Sequence, residues 1–146
     1  MSVQINVYTA RRDPLPIKEI LVGLQERGVE ATWAVDEVLA EEGAPWSPGT
    51  LAAPEGESLE LGWQQIFPGE QSDLVQRAAS VSADAAKLAP ELKNSYRLIA
   101  RGPGVLLWAT ADTIAELTPS LILDTDSGAL YDRDAFSRRS PGVLED

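Results

Sequence analysis

Four aspartates near the C-terminus, Asp124, Asp126, Asp132 and Asp134, are the residues of this chain whose type and spacing most invite chemistry. Clustered carboxylate oxygens are what hard cations such as calcium or magnesium bind. The spacing is not that of an EF-hand. Gly128 falls at the fifth place from Asp124, and Ala135 stands at the twelfth, where that loop requires a bidentate glutamate. The plainer reading makes Asp124 and Asp126 turn formers, Gly128 a left-handed residue and Asp132 or Asp134 a helix cap. On that reading the chain carries no metal and no other cofactor.

Three further groups are weaker. Gly102-Pro103-Gly104 lacks the Gly-Lys-Ser/Thr continuation of a phosphate loop and any dinucleotide fingerprint, and reads as a tight turn. Arg11 and Arg12 precede the first predicted helix, where guanidinium forks and free backbone amides can hold an anion. Asp13 competes for those amides, so a local ion pair is the expectation there. Ser95, Tyr96 and Arg97, with Arg101, are expected to alternate on an exposed strand. The chain has no histidine and no cysteine, which removes Ser-His-Asp triads, His-based zinc sites, thiol nucleophiles and disulfides. With carboxylate, lysine, tyrosine and hydroxyl groups left and no motif that assembles them, the expectation is that this is not an enzyme.

The charge distribution is more informative. The formal net charge is -11, and no lysine or arginine occurs between Gly28 and Gln76, a stretch that holds Glu30, Asp36, Glu37, Glu41, Glu42, Glu55, Glu57, Glu60, Glu70 and Asp73. Such a surface repels nucleic acid and anionic lipid and attracts a basic protein. Within it, Pro45-Trp46-Ser47-Pro48 places a large ring in a loop, while Trp33, Trp63 and Trp108 read as core. The candidate partner-binding residues are therefore Trp46 as aromatic anchor, with Glu37, Glu41, Glu42, Glu55 and Glu57 as the acidic surround. The competing reading is a solvated acidic loop that serves solubility.

The elements that must position these residues follow from periodicity. Val3, Ile5 and Val7 alternate with polar residues as a first strand. Asp13 as cap, Pro14 at the first helical position and Gly28 as stop bracket a helix whose Ile17, Ile20, Leu21 and Leu24 share one face. Ala31 to Val35 predicts a second strand. Residues near 37–58, rich in Pro, Gly, Ala and Glu, predict a long acidic loop. Leu59, Leu61 and Trp63 mark a third strand. Ser72 or Asp73 starts a helix toward Lys93 with Leu74, Ala78, Val81, Ala85, Leu88 and Leu92 inside and Pro90 as kink or stop, and Tyr96 to Ala100 a fourth strand. This β-α-β-β-α-β order predicts an α+β, ferredoxin-like sandwich. Beyond it, Val105 to Ala109 reads as a strand or the approach to a helix, Thr110 as the cap of a helix through Leu117, and Leu121 to Tyr131 as a hairpin turning at residues 125–128. The tail near 137–146 is expected to fray.

At 146 residues, with 44% hydrophobic and 24% charged residues, the chain matches one ordinary globular domain spanning 1–146. It has no apolar run long enough for a membrane helix, and its start, MSVQINVYTA, shows neither a basic leader nor a cleavage pattern. The expectation is a cytoplasmic protein that binds neither membrane nor nucleic acid.

The C-terminal third, Val105 to Thr118 (VLLWATADTIAELT) followed by Leu121 to Tyr131 (LILDTDSGALY), resembles small bacterial proteins, some of them similar to immunity proteins of toxin loci. In these a helix leads to a hairpin with an Asp-x-x-Ser/Thr-Gly-x-x-Tyr-like turn. The resemblance transfers no functional residue. It implies an immunity or antitoxin-like protein that binds and blocks a basic toxin. A small ligand- or divalent-cation-binding domain using carboxylates, and a module that self-associates through a sheet edge, are the alternative readings.

Overall fold

The computed structural model describes residues 3–35, 48–54, 56–101 and 104–137. The first strand, β1 (Val3–Thr9), leads into helix α1 (Ile17–Glu26). The helix begins later than Asp13 and Pro14 suggested, with Pro16 at its N-cap. Two prolines explain the delay: Pro14 and Pro16 each bias the residue before them toward extended backbone, so Asp13 and Leu15 are kept out of the helix and it cannot start before the second. Gly28 ends it as expected, in the left-handed region at φ 78°, with its N–H donating to the Gln25 carbonyl at 3.0 Å.

Strands β2 (Thr32–Val35), β3 (Gly49–Ala52) and β4 (Ser58–Gln65) follow. β3 lies in the stretch read from sequence as loop. Its four residues, Gly-Thr-Leu-Ala, offer one large apolar side chain, Leu51, and its glycine is needed because a Cβ at position 49 would meet the Ala34 carbonyl oxygen at 2.4 Å and the Trp33 ring at 2.7 Å.

The single long helix expected from Ser72 toward Lys93 is two helices and a 3₁₀ turn. α2 (Pro68–Ala78) starts with proline at its first position, α3 spans Ala83–Leu88, and the turn covers Ala89–Glu91. Two serines make the break: Ser80 Oγ donates to the Arg77 carbonyl at 2.7 Å, and Ser82 Oγ accepts from the Ala85 N–H at 3.0 Å, capping α3. β5 (Asn94–Ala100), α4 (Val105–Leu117), β6 (Ser120–Asp124), β7 (Leu130–Asp132) and α5 (Arg133–Ser137) complete the order, so the C-terminal helix and hairpin are present. Thr110 does not cap α4. It sits inside the helix, its hydroxyl donating back to the Leu106 carbonyl at 2.7 Å.

Among the described residues seven strands form one sheet in the order β2-β3-β4-β5-β1-β6-β7, with every pairing antiparallel. The fold is thus α+β, but the sheet departs from the ferredoxin-like arrangement. There, one strand separates the two parallel strands of a split β-α-β; here β5, β4 and β3 lie between β1 and β2. The main difference is β5, which pairs with both β4 and β1 and so separates them, instead of lying on the outer side of β1; that side is taken by β6, and β3 is inserted between β2 and β4.

The period-two pattern divides the sheet into two faces. Ile5 and Val7 of β1, Leu59 and Leu61 of β4, Leu98 of β5 and Ile122 of β6 join Ile20 and Leu24 of α1 and Leu106, Leu107 and Ile114 of α4 in the main core. On the opposite face Tyr8 and Leu121 meet Leu74, Ala78, Ala85, Ala89 and Leu92 from α2, α3 and the 3₁₀ turn. Helix α4 is buried nearly all round, from Leu106 to Ala115, which is why its sequence shows no amphipathic stripe. No helix among the described residues is long and apolar enough to cross a membrane.

Candidate functional site

Of the six partner-binding candidates, Trp46, Glu37, Glu41, Glu42 and Glu55 lie outside the described residues. Glu57 is described, in the turn from β3 to β4. There the Ala53 N–H donates to the Glu57 carbonyl at 2.8 Å and Gly56 takes φ 94°. The turn aims the Glu57 side chain at the start of α4, where Oε2 accepts from the Leu106 N–H at 2.8 Å. A helix N-terminus carries unpaired amide donors and the positive end of the helix dipole, so the carboxylate both caps and neutralises it. Gly104 leaves room for this approach: a Cβ there would lie 3.0 Å from Glu57 Oε1, close enough that the carboxylate would have to shift by a few tenths of an ångström. Sequence reading assigned Glu57 to a partner surface and had no local signal for this contact, which joins residues 49 apart.

Around that carboxylate is a cavity of about 400 Å³ between the α1–β2 turn, the β3–β4 turn and the first turn of α4. Its walls include Val29, Pro54, Val105 and Leu106, and among the described residues Glu30 and Glu57 are the charged ones that line it. Arg27, next in sequence, faces away from it. Its Nε and a terminal nitrogen donate to Asp112 Oδ2 at 3.1 and 2.9 Å, and it also reaches the Gly23 carbonyl and Glu116. Asp112, two residues past the Thr110 read as a cap, is a buried mid-helix residue. Its Oδ1 accepts from Ser137 Oγ at 2.6 Å, so the group ties α1, α4 and α5 together.

A second cavity, of about 280 Å³, opens between α3, the end of α4 and the β7–α5 junction, with Asp84, Glu116, Asp132 and Asp134 at its rim and Leu88 and Leu121 inside. Two of its acids have structural uses. Glu116 pairs with Arg133 at 2.9 Å and Arg27 at 3.2 Å, and Asp132 Oδ1 accepts from the Ala135 N–H at 2.8 Å at the start of α5. Asp124 likewise makes the hairpin turn: Oδ1 accepts from the Asp126 N–H at 3.0 Å, and Gly128 follows at φ 75°. No group of three or more His, Cys, Asp or Glu side chains among the described residues is placed to hold a metal ion.

Arg97 is not the exposed residue that strand alternation suggested. Its side chain is 15% exposed, pairs with Glu70 at 2.9 Å and lies over the Tyr8 ring, 5.7 Å from its centroid. Gln4 donates to Asn6, and Asn6 to the Tyr8 hydroxyl at 3.2 Å, so a polar row runs along one face of β1 beside Arg97. Burial is the main reason the Tyr8 phenol is pushed above its ordinary range. Arg11 makes no ion pair with the Asp13 carboxylate; its Nε donates to the Asp13 carbonyl at 3.0 Å. Trp33, Trp63 and Trp108 pack against the main core as expected, Trp63 with its ring 4.6 Å from that of Tyr96.

The topology gives the acidic stretch a location. β2, β3 and β4, which all fall between Gly28 and Gln76, are neighbours at one end of the sheet. That end presents Glu57 and Glu60 and holds no lysine or arginine in its strands. No family model, curated protein or solved structure matches the chain.

Proposed function

We propose that this protein is a non-enzymatic, cytosolic binding module of immunity or antitoxin type, which engages and blocks a basic protein through its acidic end. What supports the reading is the segregation of charge: 23 acidic residues face 12 basic ones overall, and the basic ones are missing from a contiguous stretch whose strands form one end of the sheet. A single-sign field of this kind raises the association rate with an oppositely charged partner and selects against acidic ones. In this reading Trp46 is the anchor, Glu37, Glu41, Glu42 and Glu55 steer, and Glu57 contributes while also holding α4.

The test is capture of a partner at low salt followed by kinetics with the purified pair. Charge reversal at Glu37, Glu41, Glu42 and Glu55 is expected to slow association by roughly tenfold or more, and Trp46→Ala to speed dissociation. Unchanged rates in both variants would remove this surface as the binding site.

A further inference from the structure

The cavity beside Glu57 has the build of a socket for one long cationic side chain. Its walls are apolar: Val105 is 38% exposed although it opens a helix otherwise almost wholly buried, and Val29, Pro54 and Leu106 stand beside it. Such walls suit the methylene stem of an arginine, which buries its carbons while its head stays polar. The electrostatic side is equally one-sided. Glu30 and Glu57 contribute two carboxylates, Gly28 brings in the carbonyl end of α1, where the helix dipole is negative, and the positive end of α4 is already offset by Glu57. No lysine or arginine is among the described residues that line the cavity, and the adjacent Arg27 is committed to Asp112.

Glu57 adds pre-organisation. A carboxylate offers about four acceptor positions, and the Leu106 amide takes one of them at 2.8 Å, which fixes the side chain and leaves further lone pairs for a donor. A group already held in place loses little rotamer freedom on binding. The size agrees: about 400 Å³ is at the small end of the roughly 300–1,000 Å³ usual for ligand pockets, enough for one side chain rather than a folded element.

We infer that this cavity receives an arginine side chain of the basic partner, its stem against Val29, Pro54 and Val105 and its guanidinium between Glu30 and Glu57; this rests on the basic-partner reading above and adds the residue type and the place. Arginine suits the site better than lysine because its planar fork matches carboxylates and its head is less strongly hydrated.

The probe is a capped Gly-Gly-Arg-Gly-Gly peptide, titrated into isotopically labelled full-length protein and followed by amide shifts, with the citrulline peptide as neutral isostere. We expect saturable shifts confined to Val29, Glu30, Ala53, Val105 and Leu106, with the citrulline peptide at least fivefold weaker. Glu30→Gln, which changes one exposed charge that makes no hydrogen bond or ion pair among the described residues, should weaken the arginine peptide by about two- to fivefold. Val105→Ser should weaken both peptides. Shifts spread over unrelated carboxylates without saturation, equal binding of citrulline, or no effect of Glu30→Gln would each overturn the assignment. The two readings separate cleanly. A captured basic partner whose affinity ignores Glu30→Gln and Val105→Ser overturns the socket and leaves the binding module, whereas saturable, charge-dependent peptide binding supports the socket even where no basic partner is captured.

Discussion

Replacing Gly23 by alanine puts the packing of α1 on α4 to a quantitative test. The two helices cross so closely at this glycine that an added Cβ would stand 2.3 Å from Thr113 Cγ2, 3.3 Å from its Oγ1 and 3.4 Å from its Cβ. Carbon atoms rest at about 3.5–4.0 Å, so the methyl lacks more than 1 Å of room. Thr113 cannot yield easily, being β-branched on a helix and 1% exposed. The helices must then part, loosening Ile20, Leu24 and Ile114. Overpacking of this kind costs about 1–3 kcal/mol, against about 1 kcal/mol gained from alanine's better helix propensity; with more than 1 Å of overlap the cost sits at the upper end, so Gly23→Ala should destabilise by up to about 2 kcal/mol in urea unfolding. Thr113→Ala removes both Cγ2 and a buried hydroxyl that has no hydrogen-bond partner among the described residues. In that background the nearest contact becomes the Cβ at 3.4 Å, an ordinary one. Gly23→Ala should there turn stabilising, by about 0.5–1 kcal/mol. A sign reversal is the signature. If the two substitutions prove additive, the close crossing of α1 and α4 at Gly23 is refuted.

Other expectations concern the polar contacts. Asp112→Asn leaves Arg27, whose side chain is 14% exposed, without its main counter-charge, and should cost about 3 kcal/mol in the same assay; Glu116→Gln, at a carboxylate 45% exposed, should cost no more than about 1 kcal/mol. Glu57→Ala should cost about 1 kcal/mol through loss of the α4 cap, and Glu57→Gln, which keeps an acceptor for the Leu106 amide, should recover most of it. Burial pushes the Tyr96 phenol from 10.0 up to about 12. A phenol whose folded pKa is raised is favoured folded while it stays protonated. Its contribution is therefore fully present below about pH 10 and is lost between about pH 10 and 12, amounting to about 2–3 kcal/mol. Tyr8 acts in the same direction. Unfolding followed alongside phenolate absorbance should show stability falling in that window; a flat profile would mean the phenol of Tyr96 is open to solvent.

The sequence was most legible where one residue acts on its own neighbours. The alternation of Val3, Ile5 and Val7, the left-handed stop at Gly28 and the hairpin turn ending at Gly128 are local chemistry, and each appears in the fold. The misreadings arise where a residue answers to something distant. Thr110 has the type of a helix cap, yet α4 starts five residues earlier because Glu57, far back in the chain, caps it instead. Arg97 sits on the outward phase of β5, and only the arrival of α2 with Glu70 turns that phase inward. β3 was hidden because four residues with a single large apolar side chain, Leu51, pair as a strand only when β2 and β4 flank them.

Glu57 joins these two kinds of evidence. As a letter in an acidic run it suggested a solvent-facing charge, and in the fold it is the contact that lets an all-round apolar helix begin at a cavity edge. The Glu57 side chain is consequently held from both sides: by Gly104, whose lack of a Cβ gives the carboxylate room, and by the unpaired amides of α4, which need an acceptor. A carboxylate under that constraint keeps a fixed position and retains lone pairs toward the cavity. Its structural role therefore strengthens the case for an arginine socket, since a fixed acceptor beside an apolar wall loses little rotamer freedom on binding.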